Sequence, residues 1–344
     1  MTTVSQTRDL SRFCSVCARQ LNLDPVGQAH SYEMVLGVEL PLPWPETMYD
    51  TPGILPQELL DFRNLIIESY QRGEPILKAT FFLAPDPAYS QPGMRRVIVY
   101  RRPEQAFATF EQEEYLVPEQ ACGPLCWALL VEPASLSRFA EYLLPASKVR
   151  DLMVCTHGAV DAACAKFGYP LYRYMRQSAE QASSPVRVWR VSHFGGHVFA
   201  PTFLDMPEFR YWAYIDREQA DQIVERNGVA SDLYEHYRGW AGFENPFVQA
   251  AERELFVRYG WAWIDYLKQA EVLDQGSYEA ADAQGEAIPW LDVKIDFRSS
   301  DGSLQGSHRL RVEQHSCIET PHSSKSPDTY RYPQYRIASQ ERLS

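Results

Sequence analysis

DLMVCTHGAVDAACAKFGYPLYRYMRQSAEQASSPVRVWRVSHFGGHVFAPTFLDM, residues 151–206, carries both the organisation and the chemistry of this chain. It opens with a short β-like run, Asp151–Cys155, and a loop at Thr156–Gly158. Helical character follows through Ala159–Phe167. Gly168 and Pro170 break or kink it before Leu171–Ala182 resumes, because proline removes a backbone donor and crowds the preceding turn. Val186–Ser192 is β-like again, and beyond the pair Gly195–Gly196 lies another such run, Val198–Leu204. Asp216 is suited to cap a helix through Glu225, with Asn227–Gly228 as its stop.

Strand, loop, helix, strand, strand, helix in that order predicts a thioredoxin-like sheet. Upstream, a similar alternation runs to about Ser147: β-like Glu33–Leu40, Ile76–Leu83, Arg96–Arg101 and Cys126–Glu132. Between the first two, Gln57–Gln71 spaces its apolar residues as a helix does. The proline-rich segments Pro41–Pro56 and Ala84–Pro92 are loops. Downstream, Pro246–Val272 is expected to be one long helix and Asp274–Glu286 a polar linker. Leu291–Phe297 and Arg309–Gln314 then flank the turn-rich SSDGSLQG as a hairpin. The expected class is α/β (α+β), with two thioredoxin-like units with mixed sheets and a C-terminal helix and β-hairpin extension. The division is 1–146 for an N-terminal α/β domain, 147–272 for the thioredoxin-like domain with its trailing helix, and 273–344 for linker and β-rich extension. The likeness of the two units is architectural and not a sequence repeat.

Length and composition frame this reading. A chain of 344 residues exceeds one ordinary core. With 45% apolar and 13% aromatic residues it has ample surface to bury. A formal charge of −12 opposes binding to nucleic acid or an acidic membrane surface and favours a basic partner. The longest apolar runs fall far short of the roughly 20 residues that span a bilayer. The polar N-terminal stretch MTTVSQTRDLSRF has no apolar signal core, so a cytoplasmic location follows. Seven cysteines, an odd number at low density, suit reduced thiols better than a disulfide scaffold.

Within residues 151–206, Cys155 and Cys164 are separated by eight residues and His193 and His197 by three. Two thiols and two imidazoles so close together form the ligand set of a structural zinc or of a [2Fe–2S] cluster with mixed ligation. Cys155 falls where a strand ends and Cys164 on the helix after the turn, so the loop can fold both thiolates onto one site. Gly195 and Gly196 permit a tight loop that aims both imidazoles inward and leaves backbone N–H groups for a cluster's sulfides. Asp161 is placed to orient an imidazole, or simply to face a helix dipole. His157, two residues beyond Cys155, is an alternative ligand, a supporting donor or a polar loop residue. Spacing alone does not separate zinc from iron–sulfur.

The stretches VCTHGAVDAACAKFGYPLY and VWRVSHFGGHVFAPTFLDMPEFRYWAYI resemble the sucrase/ferredoxin-like family, a branch of the thioredoxin-like ferredoxins. So do LDPVGQAHSYEMVLGVELPLPWP and YRGWAGFENPFVQAAERELF, and the likeness runs over roughly residues 13–265. It implies a [2Fe–2S] cluster on Cys155, Cys164, His193 and His197 and an electron-transfer role. Neutral imidazole in place of thiolate raises the potential relative to four-cysteine ligation, and it makes electron transfer open to coupling with a proton. Sucrose hydrolysis is not expected, since no paired carboxylates stand out in a sugar-cleaving context.

Other candidates are less specific. Cys14-Ser15-Val16-Cys17 is a CxxC outside any strand-to-helix turn, open to a dithiol redox site, half of a metal site or a structural role, and Cys122-Gly123-Pro124-Leu125-Cys126 is a CGPC with one residue inserted. Either pair would serve a thiol–disulfide oxidoreductase, the competing enzymatic reading; a structural zinc module is the competing binding reading. His315, Cys317 and His322 are expected in a turn-rich tail. No nucleotide-binding glycine motif is apparent, so an electron carrier of this kind would rely on a separate reductase.

Overall fold

The computed structural model describes residues 12–147, 149–281 and 287–343. A short helix, α1 (Cys14–Gln20), precedes the first unit: β1 (Met34–Glu39), α2 (Gln57–Arg72), β2 (Lys78–Leu83), β3 (Met94–Arg101), β4 (Glu111–Pro118) and α3 (Glu119–Leu130). The second unit comprises β5 (Arg150–Cys155), α4 (Tyr169–Ala179), β6 (Val186–Val191), β7 (Phe203–Met206), β8 (Arg210–Trp212) and α5 (Arg217–Glu225). In each unit the first two strands are parallel and the next two antiparallel, giving the orders β4-β3-β1-β2 and β6-β5-β7-β8.

The units join edge to edge into one sheet of nine strands, completed by β9 (Tyr237–Trp240) beside β8. Their seam is a single antiparallel pair, Leu83 with Val191, each the last residue of its strand. Backbone bonds from Ala84 to Arg190 and from Ser192 to Phe82 extend it. The C-terminal ends of both parallel pairs therefore converge in the middle of the sheet. That is where α/β sheets bind ligands, because the loops diverge there and leave a crevice.

One apolar core crosses the seam, with Val35, Phe81 and Leu83 from the first unit packed among Leu152, Met153, Val188 and Trp189 from the second. A buried carboxylate reinforces it. Asp151 accepts from Trp189 Nε1 (2.7 Å) and Arg187 Nε (2.7 Å) of its own unit and from Tyr100 Oη (2.8 Å) and Gln112 Nε2 (3.1 Å) of the other. Nearby, Arg150 forks onto Asp205, which is fully buried.

After β9, α6 (Pro246–Tyr259) starts with Asn245 accepting from the N–H of Phe247. Four strands then form a separate antiparallel sheet in chain order: β10 (Leu267–Ala281), β11 (Ala287–Arg298), β12 (Gln305–Ser323) and β13 (Ser326–Arg342). Its buried face, with Val293, Ile295, Leu310 and Val312, belongs to the same core as α6.

The strands expected around residues 33–40, 76–83, 96–101, 151–155 and 186–192 are present, as are α2 and the Asp216-capped α5 with its reciprocal Gln219 contact. Five expectations need correction. Cys126–Glu132 is not a strand: residues 126–130 are the end of α3, whose face is apolar nearly all round and so carries no helical periodicity to read. The helix after Cys155 is not broken at Gly168 and Pro170, because one π turn, Cys164–Gly168, absorbs the missing proline N–H and α4 continues from it. Pro246–Val272 is not one helix: Gly260, at φ +68°, ends α6, a 3-10 turn follows, and β10 begins at Leu267. Residues 274–281 of the expected linker belong to β10, paired with β11, and 282–286 lie outside the described residues. The run at 198–204 divides into a 3-10 turn, His197–Phe199, and the start of β7.

Candidate metal centre

Every residue of β5 is buried, and Cys155 ends it with 1% of its surface exposed. The π turn carries Cys164 back over that strand end, equally buried. This approach depends on Gly168, where a Cβ would collide with the carbonyl oxygen of Cys155. Beyond β6, Gly195 (φ +91°) and Gly196 (φ +79°) take left-handed conformations that reverse the chain between the two histidines. Side chains at either glycine would strike His30 or the Arg238 guanidinium.

The sequence-predicted donors meet in two adjoining groups. Cys155, Cys164 and His193 bring donor atoms within 4.8 Å of one another, with His193 Nδ1 3.8 Å from each sulfur. The hydrogen bond from Cys164 pulls Cys155 well below the ordinary thiol pKa against the opposing effect of burial, and His193 adds to this. The same bond and burial push Cys164 up.

His197 stacks on His193, ring centroids 5.2 Å apart, but its Nδ1 faces a different group: Cys14 Sγ at 3.5 Å and Asp161 Oδ2 at 3.7 Å. Burial, helped by the neighbouring His193, drives the His197 pKa down to about 4, so the imidazole is neutral at physiological pH and able to ligate. Asp161 is fully buried and accepts from Ala163 N (2.8 Å), Ser323 Oγ (2.9 Å), Ser324 N (2.8 Å) and Ser324 Oγ (2.7 Å). Burial would raise its pKa, but these bonds outweigh it and hold the carboxyl below its usual value. A carboxylate fixed this way presents its charge to the His197 imidazole 3.7 Å away.

His157 lies outside both donor groups. Its Nε2 is 2.9 Å from the Pro45 carbonyl, and its Nδ1 receives the backbone N–H of His193 at 3.3 Å. With Nε2–H donating to Pro45, the ring pins the His193 backbone to the proline loop of the first unit, where Trp44 packs edge-on against it.

Three features were not anticipated from sequence. The first is the cover: the turn joining β12 to β13 supplies Ser323 and Ser324 to Asp161, and His322 packs edge-on against His197 with ring centroids 5.2 Å apart. Lys325 reaches the Ala159 carbonyl and pairs with Glu46 at 2.7 Å. The second is the partnership of Cys14: its CxxC allows half of a metal site, but nothing in the sequence pairs it with Asp161 and His197 in the second donor group. The third is Arg238, 1% exposed, which donates to the Gly195 carbonyl (3.1 Å) and the Gln28 carbonyl (2.8 Å) and lies over the rings of Phe199 and Tyr211. It places a buried cation against the glycine loop, with rings and carbonyls for neighbours. Sequence signals for these are absent, except that Cys14 and His322 are potential donors by type.

The remaining candidates join neither donor group among the described residues. Cys122 and Cys126 are buried one turn apart in α3, and neither His315 nor Cys317 joins a donor group among the described residues. The tail that holds them is strand β12, not a turn-rich segment. None of the described helices is long and apolar enough to cross a membrane.

The donor types and their spacing are of a kind that can hold a metal ion. With metal–sulfur bonds of about 2.3 Å and metal–nitrogen bonds of about 2.0–2.1 Å, tetrahedral donors lie roughly 3.5 Å apart, and the first group is already near that spacing. A family model described as sucrase/ferredoxin-like matches residues 25–239, well over half of the chain and including all four predicted ligands. No curated protein and no solved structure matches the chain.

Proposed function

The chain belongs to the sucrase/ferredoxin-like family, and from that premise we propose that it is an electron-transfer protein holding a [2Fe–2S] cluster on Cys155, Cys164, His193 and His197. The observation that carries this reading is the meeting of two buried thiols and an imidazole within 4.8 Å, with His197 stacked alongside. Thiolate and imidazole are the donors that iron–sulfur centres take. Such a group supplies reversible one-electron chemistry.

The protein's residues divide the remaining work. Cys155 and Cys164 neutralise the metal charge, and two imidazoles leave the whole less negative than four thiolates would. His157 fixes the backbone of His193, and Asp161 fixes the ring of His197. Arg238 sets a positive charge near the glycine loop, which favours the reduced, more negative form. The turn at 323–326 and α1 keep water from the His197 side.

With no nucleotide-binding motif in the sequence, electrons would come from a separate reductase. The net charge of −12 favours one that presents a basic face. A second reading, a structural zinc ion, is favoured by the compactness of the Cys155, Cys164 and His193 group, which suits one tetrahedral ion. Thiol–disulfide exchange is disfavoured by the burial of Cys14, Cys122 and Cys126. Iron, acid-labile sulfide and zinc contents of anaerobically purified protein decide between the first two: iron matched by sulfide supports the cluster, and stoichiometric zinc without sulfide overturns it.

A further inference from the structure

Cys14 is 310 residues from Ser324 and 147 from Asp161 in sequence, yet touches both. Its sulfur lies 3.5 Å from His197 Nδ1, 3.9 Å from Asp161 Oδ1 and 3.3 Å from Ser324 Oγ, whose proton goes to Asp161. Phe13 and Cys14 pack on Ala163, next to Cys164, and on Ala200, just past the turn that carries His197. The thiol is therefore wedged between the two elements that bear predicted ligands.

Packing alone does not explain a thiol here. An apolar side chain would fill the volume, whereas this sulfur faces an imidazole, a carboxylate and a hydroxyl. A separate metal ion on Cys14, Asp161 and His197 fits poorly, because Asp161 already accepts hydrogen bonds from Ala163, Ser323 and Ser324. What remains is a metal-binding sulfur in contact with the imidazole of a ligand.

We propose that Cys14 is a reserve ligand, able to take the fourth position at the Cys155–Cys164–His193 centre when His197 does not hold it. In that exchange a metal–nitrogen bond to His197 breaks and a metal–sulfur bond to Cys14 forms. The thiol proton passes to the freed imidazole nitrogen, and no electron is gained or lost. The ligand set changes from two thiolates and two imidazoles to three thiolates and one imidazole, which adds negative charge and lowers the potential. The inference rests on the iron–sulfur reading above.

The test compares iron, sulfide, visible absorption and reduced-state EPR of anaerobically purified wild type with His197→Ala, His197→Asn, Cys14→Ser, His193→Ala and the double variant Cys14→Ser/His197→Ala. Far-UV circular dichroism verifies folding. Cys14→Ser should match wild type in iron and sulfide. The His197 variants should retain most of theirs, with the EPR signal moved to higher average g, and the double variant should retain about tenfold less. His193→Ala, which has no spare thiol behind it, should lose the centre. Equal iron in the His197 variants and the double variant, whether both full or both empty, overturns the proposal; so does full retention in His193→Ala. Colourless wild type would overturn the cluster reading itself, whereas coloured wild type with empty His197 variants overturns only the reserve ligand.

Discussion

The two units of the central sheet have the same strand order and opposite chemistry. In the first, β1 ends at Glu39, a buried carboxylate that accepts from the backbone of Arg96 (2.9 Å) and from Ser90 Oγ, so it ties down its own loops. In the second, the equivalent strand β5 ends at Cys155, and the following helix brings Cys164 onto it. The chain after β1 is a proline-rich loop that cannot carry a donor back over the strand. Instead it forms a wall for the neighbouring site, through Pro45 and Trp44 against His157 and Glu46 against Lys325. Because the seam joins the C-terminal ends of both parallel pairs, one unit can supply ligands while its twin supplies cover. The topology creates the crevice; the residues at the strand end decide what it holds.

The largest expected effect separates the units outright. Cys155→Ser or Cys164→Ser should empty the site of metal, while Cys122→Ser and Cys126→Ser in the first unit leave the metal content at the wild-type level. Elemental analysis checks both, and metal loss from the α3 variants would break the division of labour.

Next comes the seam. Asp151→Ala leaves Arg187 and two ring donors short of a buried acceptor, and removing one partner of such a network costs about 3–5 kcal/mol. Because Asp151 also holds Tyr100 and Gln112 of the first unit, urea unfolding should show one transition at a lower midpoint. Two separate transitions would mean that the units are independent bodies.

A smaller effect is expected from Asp161→Asn, which keeps the shape but weakens the hold on His197. Orienting residues of this kind are worth about 10–100-fold in metal retention, readable as the rate of metal transfer to a chelator. A variant that releases metal no faster than wild type would remove Asp161 from the site's support.

The last effect lies at the outer side of the second unit and is expected only in acid. Burial alone would raise the Asp205 pKa, but Arg150 and Arg226 more than offset this and hold it below the usual carboxylate value. A carboxyl depressed in the folded state contributes stability that is present above its unfolded pKa and lost as the pH falls through the folded one. The stability difference between wild type and Asp205→Asn should therefore shrink as the pH drops below about 4; a constant difference would contradict the pairing.

The site was legible where its parts are local. Cys155, Cys164, His193 and His197 fall within 43 residues, and the strand-turn-helix pattern around them survives in the structure. What escaped were partners from the ends of the chain, since no periodicity links Cys14 or Ser324 to Asp161. Arg238 was equally silent, because an arginine buried among rings looks like any other in sequence. The fold misreadings have local causes: α3 is too uniformly apolar to show a helical face, and the apolar spacing of α6 continues past Gly260 into a 3-10 turn and strand. Gly260 itself was the stop signal that outweighed the pattern.

The most direct measurement is the EPR spectrum of the anaerobically purified, dithionite-reduced chain, taken alongside its iron and sulfide content. The account predicts brown-red protein with equal iron and sulfide and a reduced-state signal of low average g, as histidine ligation requires. Colourless protein carrying stoichiometric zinc, or no metal at all, would contradict it.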